Sequence, residues 1–255
     1  MPDIIALVRE PAPSFARALS SHPAKNAIDV RQARRQHRAY VRALQQAGAQ
    51  VTSLPPEETL ADAPFVEDTA IVLGDRALIC SPKAPSRRGE AQSVIPEIKK
   101  YRRLEVLAPP IFIDGGDVLN VGGTLYVGLS RRTNRQAIEY LRTQTSQPVV
   151  AVPVLHGLHL KSAVSRLNDE TLLIDPRRVE AAAFKTFRRI EVTAEETANC
   201  LAIGKHAILP AGYPRVARQI EALGLAVLPV PMSEFEKADG GVTCLSLILS
   251  SMASL

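Results

Sequence analysis

Along the chain an apolar run, a short polar or glycine-bearing turn and a second apolar run recur, and an amphipathic stretch then follows. TAIVLGDRALICSP, from Thr69, turns at Gly74-Asp75, and DVLNVGGTLYVGLS, from Asp117, turns at Gly122-Gly123. AVSRLNDETLLIDP, from Ala163, turns near Asn168-Asp169, and NCLAIGKHAILPAG, from Asn199, turns at Gly204-Lys205. Apolar runs flanking so short a turn predict β-hairpins. A fifth copy forms only if TCLSLIL near the C-terminus joins DIIALVRE at the N-terminus.

Helical spacing separates the copies. Gln32 to Ala47 carries Ala33, Tyr40, Val41 and Leu44 at helical intervals and stops at Gly48. Further amphipathic segments run over Gly89–Lys100, Arg132–Gln144 and Pro214–Leu223. A repeat of roughly 40–50 residues suggests a propeller or an array of supersecondary units. Five units of about 50 residues account for the chain, and pairing of its two ends would remove the exposed sheet edges. The expected fold is α/β, a closed ring of five strand–helix units making one domain over residues 1–255. Loops from every unit converge on the centre of such a ring, so site residues are expected at strand ends, one or two per unit.

Composition narrows the class. Of 255 residues, 46% are hydrophobic and 22% charged, an ordinary globular balance. No apolar stretch approaches the ~18 residues of a membrane span, and MPDIIALVREPAPSF lacks the form of a secretory signal, so a cytoplasmic protein is expected. Cys80, Cys200 and Cys244 are odd in number and lack a CxxC pair, which argues against a disulfide framework and a structural zinc site. The net charge of +5 invites a nucleic-acid reading, but the basic residues are scattered and aromatics are only 4%, which leaves few stacking platforms. An anionic group on a small molecule accounts for a few arginines equally well.

The polar residues at strand entries carry the chemistry. FVEDTAIV sets Glu67 and Asp68 before one strand, and FIDGGDVLNVGG sets Asp114 and Asp117 around two glycines before the next. VLHGLHLKSA brings His156 and His159, in a segment that reads as strand, and DGGVTCLSL brings Cys244. Singly, each is an ordinary turn or core residue; together they occupy equivalent places in a repeating unit. Cysteine, histidine and carboxylate make a nucleophilic site, in which the thiolate attacks. Several carboxylates around it suit a guanidinium, whose planar fork of donors matches them in pairs. Arg87 and Arg132 suit the anionic end of the same molecule. A zinc site on His156, His159, Asp114, Asp117 and Cys244 competes, although the HxxH lacks the helical HExxH spacing. Gly240-Gly241 is read as letting the chain pass close to a substrate.

The segments LPPEETLADAPFVEDTAIV, APSRRGE, IDGGDVL, GLSRRTN, LHLKS, NCLAI, PAGYPR and MSEFEKADGGVTCLSL occur in order over nearly the full length. By them the chain resembles the dimethylarginine dimethylaminohydrolase family of the guanidino-group-modifying (amidinotransferase or pentein) superfamily. The resemblance implies a five-bladed α/β propeller. It also implies hydrolysis of Nω-methylated arginine to citrulline and a methylamine, with no cofactor and no required metal. It places the nucleophile on Cys244, the acid–base on His159 and not His156, and the acid on Asp114, where some relatives have Glu. Guanidinium contacts fall on Glu67 and Asp68, the substrate's amino-acid end on Asp62, and carboxylate contacts on Arg87 and Arg132. Backbone contacts fall on Leu19, in a flexible lid, and on Ala238. The expected partner is a small guanidino amino acid, with neither nucleic acid nor membrane, and a homodimer stays open. Two rivals remain. Arginine deiminase would have a His-x-Asp pattern, where here Leu160 and Lys161 follow His159, and commonly a further helical domain. A non-catalytic, ribosome-binding pentein would suit the basic charge.

Overall fold

Every strand entry singled out above ends on the same ring. The computed structural model describes residues 4–250, so Asp3, the first residue of DIIALVRE, lies outside the described residues. Strand β1 (Ile4–Arg9) pairs in parallel with β2 (Gln50–Leu54). The second sheet holds β3 (Ala70–Leu73), β4 (Arg76–Ile79) and β5 (Arg103–Val106). The third holds β6 (Val118–Val121), β7 (Thr124–Leu129) and β8 (Val149–Pro153). The fourth holds β9 (Val164–Arg166), β10 (Thr171–Ile174) and β11 (Arg188–Glu191). The fifth holds β12 (Leu201–Ile203), β13 (His206–Pro210) and β14 (Ala226–Val230). Strand β15 (Ser246–Ser250) then pairs antiparallel with β1, register Leu7↔Leu247, and completes the first sheet from the other end of the chain. Each sheet repeats one plan, an inner strand antiparallel to a middle strand that is parallel to an outer one.

Burial closes the ring. Leu7 and Leu247 of the first sheet pack with Ala77 and Ile79 of the second. Ile71 and Leu78 pack with Leu125 and Val127 of the third, and Leu119 and Tyr126 with Leu172 and Ile174 of the fourth. Leu173 packs with Ala207 and Leu209 of the fifth, and Ile208 and Val230 return to Ala6 and Val8 of the first. Five wedges of apolar side chains therefore join five sheets, each buried side chain contributing on the order of 1.5–3 kcal/mol. The inner strands β3, β6, β9, β12 and β15 surround a central cavity of about 270 Å³.

The hairpins lie where the pattern puts them, with two-residue turns at Gly74-Asp75, Gly122-Gly123 and Gly204-Lys205 and a longer one at 168–170. Helix α1 (Val30–Gln46) starts two residues before the expected Gln32, because Asp29 accepts the N–H groups of Arg31 and Gln32 as its cap. The helix expected over Gly89–Lys100 shrinks to α2 (Ile95–Ile98). Pro96 is tolerated only in a first helical turn, and the residues ahead of it form turns instead. Helix α3 (Arg135–Gln144) starts three residues later than expected, capped by Asn134, which leaves Arg132 free for the ring centre. Helix α4 (Pro214–Glu221) follows its pattern, and a short α5 (Ser233–Glu236) was not expected. No helix among the described residues is long and apolar enough to cross a membrane.

Candidate active site

Short turns lead into the inner strands and carry the polar residues. Val66–Thr69 precedes β3, Gly115–Asp117 precedes β6, Leu160–Ser162 precedes β9 and Thr243–Leu245 precedes β15. Behind them lies the 270 Å³ cavity; in front, a cavity of about 590 Å³ opens between Leu19, Arg132, His156, Asn199, Asp239 and Gly241. Lys161 Nζ reaches Glu67 Oε1 at 2.7 Å, and both residues line the rear cavity.

His159 is buried, and its Nε2 lies 3.0 Å from Asp114 Oδ2. Asp114 is wholly buried and, although one methylene shorter than Glu, still reaches the imidazole. Nδ1 lies 3.9 Å from Asp68 Oδ1. Burial opposes the imidazolium, but Asp68, the hydrogen bond to Asp114 and the charge of Asp117 outweigh it and push His159 up to about 9. Asp117, by contrast, is fully used: it accepts Ser130 Oγ and Thr133 Oγ1 at 2.6 Å and the Leu160 N–H at 2.9 Å. It ties the histidine turn to the third sheet and does not touch the imidazole ring.

Cys244 is buried on its turn, and its sulfur accepts the Gly241 N–H at 3.4 Å. Burial first, then the charges of Glu67 and Asp68, push its thiol up to about 12. Cys244 therefore rests as the thiol. Asp68 accepts the Gly116 N–H at 2.9 Å and Arg87 Nη1 at 2.7 Å. Its burial is overcome by His159 and Arg87, which hold the carboxyl well below its usual range. Glu67 Oε2 and Asp114 Oδ1 are buried acceptors without a protein partner. Buried carboxylate oxygens left unfilled are acceptors that a guanidinium's N–H donors could fill.

Asp62 accepts the Leu19 N–H at 3.1 Å, which brings together two of the residues singled out in the sequence. Leu19 is 41% exposed at the mouth of the front cavity. Ala238 is buried just after α5, and its N–H is spent on the Phe235 carbonyl at 2.9 Å. Asp239 next to it accepts the N–H and hydroxyl of Ser21 at 2.6 and 3.0 Å, fastening the Leu19–Ser21 segment to the loop before Cys244. Arg132 is 13% exposed and lies 3.4 Å from Asp114 Oδ2 while lining the front cavity.

Three readings change. Arg87 does not face the mouth: its Nε and Nη2 hold Glu90 at 2.7–3.1 Å and its Nη1 holds Asp68, at 3% exposure. A guanidinium so engaged positions Asp68 and has no donor pair to spare for a substrate carboxylate. The segment around the two histidines is not a strand. It turns at Gly157, φ +95°, which leaves His156 exposed and His159 inside, so the zinc set is not assembled. Asp68, Asp114 and His159 do offer ligand atoms within 4.8 Å of one another, but Arg87 and Arg132 already stand against the two acids. The glycine pair before the cysteine lines the front cavity and is also closely packed from behind. A Cβ on Gly240 would lie 2.4 Å from the Phe65 ring, and one on Gly241 would lie 2.3 Å from Asn199 Oδ1. The sequence reading assigned no role to Glu90, Lys161, Asn199 or Asp239; the Arg-x-x-Glu spacing of SRRGE was the available sign for Glu90.

Five three-stranded sheets in a ring, with acids, a histidine and a cysteine on the inner turns, define a pentein of the guanidino-group-modifying class. The family described as N,N dimethylarginine dimethylhydrolase, eukaryotic, matches residues 13–165. The chain is 38% identical to the N(G),N(G)-dimethylarginine dimethylaminohydrolase of Pseudomonas aeruginosa, over 94% of this chain and 97% of that one. It is 36% identical to the Streptomyces coelicolor protein of the same name, over 99% of each. The solved cysteine-to-serine variant of the Pseudomonas aeruginosa protein, complexed with citrulline, superposes with a TM-score of 0.90 at 33% identity, covering 96% of this chain and 98% of that one. The chain belongs to the dimethylarginine dimethylaminohydrolase family.

Proposed function

We propose that this protein hydrolyses Nω-methylated L-arginines, dimethyl and monomethyl, to L-citrulline and dimethylamine or methylamine through a covalent intermediate on Cys244. The observation that carries the reading is the pair of unpartnered buried oxygens, Glu67 Oε2 and Asp114 Oδ1, in a site with a buried thiol and a charged imidazole. The substrate guanidinium fills those acceptors, and its charge offsets the Glu67 and Asp68 charges that hold the thiol protonated. The thiol proton leaves to water, and the thiolate adds to the guanidinium carbon. Imidazolium His159 gives its proton to the methylated nitrogen as the C–N bond breaks, leaving a thiouronium. Neutral His159 then takes a proton from water while the oxygen adds to the same carbon. The C–S bond breaks as the carbonyl forms, and the hydroxyl proton returns to the sulfur. Arg132 binds the substrate carboxylate at the mouth; Asp62, with the Leu19 and Ala238 backbone, binds the amino-acid end; Arg87 acts through Asp68.

The test is incubation with each methylarginine and with arginine, following citrulline and the released amine. Dimethylarginine and monomethylarginine are expected to yield citrulline far faster than arginine. Preferential release of ammonia from arginine would make the chain a deiminase, and binding to ribosomal subunits without citrulline would make it a non-catalytic pentein. His159→Ala should lose about 10²–10⁴-fold in turnover, the scale of an acid–base catalyst, whereas exposed His156→Ala should keep most of it.

A further inference from the structure

Four of the five inner entries bring a group to the reaction: Glu67 and Asp68, Asp114, His159, and Cys244. The remaining one brings Asn199, two residues before the start of β12, within the NCLAI segment. Its side chain is buried and its amide is fully engaged on two neighbouring turns at once. Nδ2 donates to the Lys161 carbonyl at 2.9 Å and to Thr243 Oγ1 at 2.9 Å, and Oδ1 accepts the Thr243 N–H at 3.2 Å. Lys161 belongs to the turn that starts after His159, and Thr243 opens the turn that carries Cys244. The amide oxygen also packs against Gly241, whose N–H donates to the Cys244 sulfur. We propose that Asn199 is a positioning residue that sets the distance between the nucleophile and the acid–base, by clamping the Cys244 turn to the His159 turn. It touches neither sulfur nor imidazole. A slack of about 1 Å between reacting groups is enough to cost ~10²-fold in rate, so a clamp between turns from different sheets has leverage on turnover.

The proposal rests on the hydrolase reading, and the experiment separates the two. Asn199→Ala, Asn199→Asp, Thr243→Val and Thr243→Ser are assayed with dimethylarginine, with thermal midpoints recorded beside them. Asn199→Ala is expected to lose about 10–100-fold in kcat while KM moves less than about 3-fold, since binding groups stay in place. Asn199→Asp, of the same shape but without the Nδ2 donors, should fall in the same direction. Thr243→Val should follow it, Thr243→Ser should recover most of the rate, and the double variant Asn199→Ala with Thr243→Val should be no worse than the poorer single one. Alkylation of Cys244 by iodoacetamide, read by mass spectrometry without substrate, should accelerate several-fold in Asn199→Ala as the turn loosens. A wild-type kcat in Asn199→Ala, a loss carried by KM alone, or multiplying losses in the double variant overturns the clamp. Should Asn199→Ala fail to fold, equal activities of Thr243→Val and Thr243→Ser overturn it. An inactive wild type overturns the hydrolase reading alone, and unchanged alkylation would then overturn the clamp.

Discussion

Asp114→Asn isolates what the buried carboxylate does for His159. The pair is 3.0 Å apart, with Asp114 wholly buried and His159 at 3% exposure, so solvent screens it little. A hydrogen bond between charged partners is worth about 1.5–3 kcal/mol, and a shift of one pH unit in a pKa corresponds to ~1.36 kcal/mol. The substitution should therefore bring His159 from about 9 down to between ~7 and ~8. The chain has 5 histidines, His22, His37, His156, His159 and His206, few enough for each ring to be followed by NMR in labelled protein over pH 5 to 10. Stability gives a second readout. The folded value of about 9 lies above the unfolded ~6.5, so the contribution is fully present below pH ~6.5 and is lost as pH rises through 9. The unfolding free energy of the wild type should fall across that window by on the order of 3 kcal/mol, and that of Asp114→Asn by visibly less, with the thermal midpoints following in the same direction. Glu90, which burial raises to about 7, titrates in both proteins and cancels in the comparison. An unchanged His159 titration in the variant would refute the reasoning, as would a wild-type ring titrating near 6.5.

Three more expectations follow from the same geometry. Cys244→Ser should show no turnover yet keep its thermal midpoint, while substitution of buried Cys80 or Cys200 should alter stability alone; appreciable citrulline from Cys244→Ser would sink the covalent route. Arg132→Ala should raise KM about 10- to 100-fold for dimethylarginine, the loss of a charged hydrogen bond of ~1.5–3 kcal/mol. Methylguanidine, which has no carboxylate, should be indifferent to it, and equal sensitivity of both substrates would place Arg132 elsewhere. Alkylation of free Cys244 by neutral iodoacetamide should be slow at pH 7 and climb toward a thiol value of about 12, because burial and the Glu67 and Asp68 charges disfavour the thiolate; a plateau reached near pH 8 would contradict this.

The ring was legible because two periodicities are local. Period-two strands around glycine turns and 3.6-residue helices declare themselves within about a dozen residues, and the split fifth unit followed from four full copies with one apolar run left over at each end. What local patterns missed was set by groups distant in sequence. The expected helix at 89–100 was shortened to four residues by Pro96 and the turns ahead of it. The histidine segment reads as strand in composition, yet its backbone reverses at Gly157, and the Arg178 guanidinium fills the space a Cβ there would need. Arg87 looked like a substrate contact because an arginine in a loop has the same letter whether it faces solvent or two buried acids.

Charge explains the division of labour that the letters concealed. A site built to hold a cation needs carboxylates, and buried carboxylates without counter-charge would protonate rather than stay ionised. The chain therefore supplies its own cations from behind and beside: Lys161 on one oxygen of Glu67, Arg87 on Asp68, and Arg132 and His159 on Asp114. Each counter-charge occupies one face of its acid. Oε2 of Glu67 and Oδ1 of Asp114 stay open, which is the condition for binding a guanidinium without first breaking an internal pair. The same arrangement sets the order of events at the sulfur. The internal cations are paired to acids, and what Lys161 and the Gly241 N–H offer a thiolate is outweighed by burial and by the Glu67 and Asp68 charges, so the thiol stays protonated. On the mechanism proposed above, the substrate's own charge would both fill the open oxygens and free the thiolate of Cys244, so a neutral isostere of the guanidinium should neither bind tightly nor be attacked.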